Sequence, residues 1–119
     1  MKVLNTTILV LTNVINNNED FYRVLRRTFE SKDINSDEKK MITAFSGCIL
    51  RHYLSFADLL KRHYKEESDE LKYAIMFMIS NVVFLKRIEE DKWISLLHEY
   101  IKVNNFAVDA NEIIQFIKS

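Results

Sequence analysis

Between Met1 and Ser119 the chain contains no proline and a single glycine, Gly47. Those two residue types punctuate most hairpins and long loops, because proline presets φ and glycine reaches backbone conformations closed to other residues. A chain nearly without them has little means of making tight β-turns, so an all-helical bundle is expected. Helix boundaries then have to be read from capping residues and from breaks in the apolar periodicity.

The segment from Val3 to about Ile15 is uncharged and rich in β-branched residues. Alone that composition suits a strand; in this company it is read as the first helix. Asn16-Asn17-Asn18 makes a turn, and Asn18, followed by Glu19-Asp20, caps a second helix whose Phe21, Val24, Leu25 and Phe29 keep helical spacing. Ser36 with Asp37-Glu38 opens the next pattern, through Met41, Ile42, Phe45, Ile49, Tyr53, Phe56, Leu59 and Leu60 to about Tyr64. It is one long helix or two, with Gly47 and Ser55 as the candidate interruptions.

Ser68-Asp69-Glu70 caps a further helix to about Lys86, and its middle, Tyr73 to Ile79, is apolar on every side. A surface helix shows one apolar stripe, so this one is expected at the centre with the others around it. A helix from about Glu90 to Val103 carries the only tryptophan, Trp93, in a stripe with Leu96, Leu97 and Tyr100 that Ile94 and Ile101 widen. Asp109-Ala110-Asn111-Glu112 has capping-box spacing and opens a short last helix through Ile113, Ile114, Phe116 and Ile117. The expectation is one domain, residues 1–119, of six or seven helices around a buried one.

Charge and chemistry narrow the function classes. Seventeen basic and seventeen acidic residues cancel, which leaves no long-range field to condense the chain on nucleic acid or anionic lipid. The apolar run from Ala74 to Leu85 is interrupted by Ser80-Asn81 and is shorter than the roughly 20 residues of a membrane span. The apolar N-terminus is broken by Asn5-Thr6-Thr7 and lacks a cleavage site, so no secretory signal is expected. A lone cysteine, Cys48, fits a reducing compartment and reads as a small core residue in its apolar setting.

His52 and His63 stand eleven residues apart, about 16 Å along a helix and too far to share a metal. His98 is isolated, and one glycine makes no phosphate-binding loop. The acid pairs Glu66-Glu67 and Glu89-Glu90 fall at turns or helix starts, where dipole pairing accounts for them. No catalytic residue, metal site or cofactor is assigned. Arg23, Arg26 and Arg27 share one side of the second helix and read as a contact for RNA phosphates or as its solvated face, the neutral overall charge favouring the second.

A resemblance adds to this reading. Leu54-Ser55-Phe56-Ala57-Asp58-Leu59-Leu60-Lys61-Arg62, then Asp69-Glu70-Leu71-Lys72 leading into Ala74-Ile75-Met76-Phe77-Met78-Ile79-Ser80-Asn81-Val82, then Lys86 through Leu96, and finally Asn111-Glu112-Ile113-Ile114-Gln115-Phe116-Ile117, follow one another in the order and spacing of a known group. They are similar to the short poxvirus proteins of the Bcl-2-like fold, over roughly residues 40 to 119. The Asn-Trp-Gly-Arg signature of cellular members is missing, as it commonly is from viral ones, and so is the Leu-x-x-x-Gly-Asp motif of pro-apoptotic members.

The resemblance implies a non-enzymatic decoy in the host cytoplasm. It would sequester a host signalling protein on the pathway to NF-κB, or a pro-apoptotic amphipathic helix in a groove of helices two to five. The groove residues expected here are Val24, Leu25, Phe29, Phe45, Ile49 and Phe56. Several members of that group pair through their first and sixth helices, so a homodimer is expected, with Thr6, Thr7, Leu9, Thr12 and Asn13 of the uncharged first helix left on an outer surface. Ile94 and Ile101 complete that interface.

The rival reading is an RNA-binding helical domain. Gly47-Cys48-Ile49-Leu50-Arg51 and Phe84-Leu85-Lys86-Arg87-Ile88 resemble motifs of the bacterial antitermination factor NusB and of related rRNA methyltransferase domains. That family's first-helix arginines, its central Arg-Leu-Gly and its Val-Pro step are missing.

Overall fold

Side-chain capping marks the start of four of the helices. The computed structural model describes residues 1–65 and 67–119; Glu66, half of one acid pair noted above, lies outside them. Among the described residues the chain forms seven α-helices and no strand: α1 Lys2–Leu11, α2 Phe21–Ser31, α3 Ser36–Arg51, α4 Tyr53–Lys61, α5 Asp69–Ser80, α6 Glu90–Val103 and α7 Ala110–Lys118.

Asp20, rather than Asn18, caps α2 by accepting the Arg23 N–H at 3.0 Å. Asn18 instead adopts a left-handed backbone with φ of 55°, which asparagine tolerates better than most residues and which turns the chain into that cap. Asn35, rather than Ser36, caps α3 in a reciprocal box: its side chain accepts from Glu38 N–H at 2.8 Å, and the Glu38 carboxylate accepts from Asn35 N–H at 3.0 Å. Ser68 caps α5 as expected, accepting from Leu71 N–H. Asp109 caps α7 through Asn111 N–H at 2.9 Å, one residue short of the expected partner.

The helical stretch after residue 36 is two helices, and the break falls at His52 rather than at Gly47 or Ser55. His52 leaves helical geometry (φ −110°, ψ 16°), and Phe56 N–H returns to its carbonyl at 3.0 Å to start α4. Gly47 sits inside α3, where its loss of backbone freedom costs about 1 kcal/mol relative to alanine and no special conformation requires it.

α1 and α5 both run on into a wide turn of π type, Thr12–Asn16 and Asn81–Leu85. Each is closed by a bond five residues back, from Asn17 N–H to Thr12 at 3.2 Å and from Lys86 N–H to Asn81 at 2.7 Å.

α5 occupies the centre. Every residue from Tyr73 to Asn81 is buried, and α1, α3, α6 and α7 all pack against it. Phe77 of α5 stacks on Phe45 of α3, ring centroids 4.0 Å apart and 9° from parallel. Trp93 is buried in the same large cluster, so it anchors α6 to α5 as its stripe implied. A second, smaller cluster of Val10, Val24, Leu25, Ile34 and Ile42 joins α1, α2 and α3.

Candidate functional site

Five of the six expected groove residues are core. Val24 and Leu25 are closed inside the small cluster, and Phe45, Ile49 and Phe56 inside the large one. Only Phe29 is half-exposed, with the Lys39 ammonium 5.8 Å from its ring centre. The physical reason is that the strongest apolar periodicity marks what a helix hides. The six residues also belong to two different clusters, so they form no common lining in this conformation.

The expected α1 surface is corrected in part. Thr6 and Thr7 are buried, not outward, and Ile101 of α6 is buried as well. α1, whose one charged residue is Lys2 at its start, packs against both α3 and α5, and that packing covers the two threonines. Thr12, Asn13 and Ile94 are half-buried and Leu9 is exposed.

The open apolar surface lies elsewhere, around the π turn that ends α5. A cleft of about 530 Å³ is lined by Leu59 and His63 at the end of α4, Ile79 and Val83 on α5 and its turn, and Phe116, Ile117 and Ser119 at the end of α7. Beside it Phe84 stands out from the turn, its ring stacked on His52 at 4.3 Å and 8° from parallel, with Phe56 behind at 6.5 Å. At the cleft Val83 is 53 % exposed and Leu59 43 %, and Phe84, next to Val83 in the turn, is 48 % exposed.

Local structure explains the exposure. Val82-Val83-Phe84-Leu85 is four apolar residues in succession, and no helical turn directs four consecutive side chains to one side. The turn is held from within by Asn81, which is buried. Its amide donates to the Ile88 carbonyl at 2.8 Å, and its side-chain oxygen accepts from Arg87 N–H at 3.0 Å and Ile88 N–H at 2.8 Å. Lys86 takes a left-handed backbone, φ 50°, to reverse the chain toward α6. Phe116 closes the far wall, 5.0 Å from His63 and edge-on to Tyr64 at 5.4 Å. Burial, then the nearby Glu112 and Glu67 carboxylates, push the Tyr64 phenol above its usual range, so it stays neutral beside the ring.

Other clefts carry charged residues in their linings. One of about 500 Å³ between the π turn and α6 includes Lys86, Arg87, Glu89 and Glu90, with Lys118 paired to Glu90 at 3.1 Å. Another, about 480 Å³, sets Lys39, Lys40 and Arg87 around Ser36, Thr43 and Ala44. On α2, Arg27 is held bidentate by Glu19 at 2.8 and 3.0 Å, which neutralises part of the arginine face; the bond holds Glu19 below the usual carboxylate range. Cys48 is buried. Among the described residues no three of the His, Cys, Asp and Glu side chains gather to hold a metal ion, and no helix is long and apolar enough to cross a membrane.

No protein-family model, curated protein or solved structure matches the chain. The site therefore has to be read from its own chemistry. That chemistry is an apolar trough with aromatic walls, open to solvent, offering few groups able to move a proton and much surface that a partner's apolar side chains can cover.

Proposed function

We propose that the protein is a non-enzymatic binding module that takes an amphipathic helix of a host protein into the cleft between α4, the second π turn and α7. In keeping with the poxvirus Bcl-2-like proteins it resembles, the partner class is a host signalling protein acting toward NF-κB or a pro-apoptotic protein, met in the host cytoplasm. The observation that carries the reading is an open cleft whose lining of Leu59, Ile79, Val83, Phe116 and Ile117 is apolar and includes two exposed residues, Leu59 and Val83. Contiguous exposed apolar surface on a soluble protein marks an interaction site. A helix docks in such a trough through apolar anchors one turn apart, the apolar lining supplying affinity and the rim orientation.

The RNA-binding alternative has its own observation, the three cations Lys39, Lys40 and Arg87 around one cleft. The two readings separate by salt. RNA bound through a few phosphates loses affinity steeply as salt rises, whereas an apolar helix in a trough does not. The test is affinity capture from transfected mammalian cells read by mass spectrometry, alongside titration of structured RNA at two ionic strengths. The proposal expects a host signalling or death-helix protein and no salt-dependent RNA binding. Ribosomal or transcription components without signalling proteins would overturn it.

A further inference from the structure

Between α4 and the first half of α5 lies a hollow of about 180 Å³ that shares no lining residue with the cleft described above. Its wall is apolar: Leu60 and Met76 are buried and Ala57 is half-buried. Its charged lining is mostly cationic. Lys61 ends α4, Lys65 follows it and Lys72 comes from α5, with Asp69 the one acid there among the described residues. That acid is partly engaged, since Asn16 donates its amide to the Asp69 carboxylate at 2.8 Å and accepts from the Tyr73 hydroxyl at 2.6 Å. Lys72 donates to the Lys65 carbonyl at 3.2 Å, which sets the two lysines side by side and leaves the Lys72 ammonium two further N–H groups. Among the described residues none of the three lysines is in an ion pair. We infer that this hollow binds a small organic anion, a carboxylate or phosphate monoester whose head meets Lys61, Lys65 and Lys72 and whose apolar body lies on Leu60 and Met76.

Size sets the body of that ligand. A cavity of about 150 Å³ holds one benzene molecule, so about 180 Å³ admits a single ring or a chain of about five carbons, and is too small for the roughly 300 Å³ or more of a drug-sized ligand. Charge sets the head. Three lysines against one aspartate make the lining positive although the whole chain is neutral, so the attraction for an anion is local to the hollow. Burial pushes the Tyr73 phenol well above its usual range, so it stays neutral and adds no competing negative charge. A neutral amide of the same shape gains the apolar contacts and forgoes the charge-assisted hydrogen bonds. The inference does not depend on helix binding at the other cleft, and the two succeed or fail separately.

Backbone amide shifts of the nitrogen-15-labelled full chain, followed as benzoate, phenyl phosphate or benzamide is added, test this. At least one of the two anions is expected to saturate with a dissociation constant on the order of 1 mM, which suits a ligand of about ten non-hydrogen atoms, and the tighter of the two names the head. The shifts are expected to centre on Ala57, Lys72 and Met76, and benzamide is expected to bind at least about fivefold more weakly. Lys61→Gln with Lys72→Gln, at an exposed and a half-buried position, should weaken the anion by about fivefold or more with an unchanged helical circular-dichroism spectrum. Lys39→Gln with Lys40→Gln removes the same charge elsewhere and should leave the affinity as it was. Should the first pair lose helicity, benzoate against benzamide on the wild type gives the same reading. The inference is overturned if neither anion saturates by about 20 mM, if benzamide binds as tightly as benzoate, if the shifts centre away from the hollow, or if the Lys39 and Lys40 pair weakens binding as much as the Lys61 and Lys72 pair.

Discussion

The two π turns share a backbone and differ in what they show to water. Both continue a helix by a bond reaching five residues back, and both lead to a residue with left-handed φ, Asn18 at 55° and Lys86 at 50°. The first presents polar side chains that find partners: Asn16 donates to Asp69 at 2.8 Å and accepts from the Tyr73 hydroxyl at 2.6 Å, and Asn17 donates to Asn13 at 3.0 Å. The second buries its one amide, Asn81, and turns Val83 and Phe84 outward. One turn is thus closed on its own protein, the other left with uncovered apolar surface. The backbone device does not make the site; the side chains placed on it do.

Substitutions at the two turns break or sharpen that contrast, and the largest effect is expected at Asn81. Asn81→Leu orphans two backbone N–H groups and a carbonyl in the α5–α6 connection and should cost about 3 to 4 kcal/mol, read as a lower urea midpoint at unchanged slope. Asn16→Leu, at a solvated position, should cost about 1 to 2 kcal/mol. Equal losses would show that the first turn is held as tightly from within as the second.

Alkaline pH probes the helices on which the turns rest. Burial, then the Glu70 charge, push the Tyr100 phenol from 10.0 up to about 12, and burial likewise raises Tyr73. The folded state thus favours the neutral phenol. This contribution is complete below pH 10, where both states are protonated, and drains away as pH rises from 10 toward 12, where only the unfolded chain has lost its proton. Urea midpoints measured across that window should fall more steeply for the wild type than for Tyr100→Phe. Parallel curves would contradict the assignment.

Converting the second turn to the character of the first is a milder change. Val83→Asn with Phe84→Asn removes half-exposed apolar contacts and the stack on His52, and should cost about 1 kcal/mol, leaving a folded protein that no longer retains its partner. Smallest of all, Leu54→Ser should stay within about 0.5 kcal/mol of the wild type. A loss of several kcal/mol there would mean that Leu54 packs rather than displays.

The all-helical class, the buried α5 and the span of α6 were legible from the missing proline and glycine and from Tyr73 to Ile79. Caps were legible to within a residue or two, and they slipped where another side chain competes: Asn35 has the reciprocal partner Glu38 that Ser36 lacks, and Asn18 is spent on a left-handed turn. The break at His52 carries no local signal, since neither glycine nor proline stands there. Which apolar residues stay open to solvent was not legible for a related reason. Val24, Leu25, Phe45, Ile49 and Phe56 repeat at helical spacing because they are core, whereas Leu59, Val83 and Phe84 look in sequence like more of the same. The available clue was the unbroken Val82-Val83-Phe84-Leu85 at a helix end, more apolar residues in a row than one side of a turn can hide.

The central claim, that the face of the second π turn is where this protein meets its partner, is tested most directly by parallel affinity capture with wild type, Val83→Asp and Val103→Asp. Val83 borders the cleft and Val103 is exposed at the end of α6, so the two charges are alike and only their places differ. The expected result is a host protein retained by wild type and Val103→Asp and lost, by tenfold or so, with Val83→Asp. Equal recovery of that protein by all three would contradict the account.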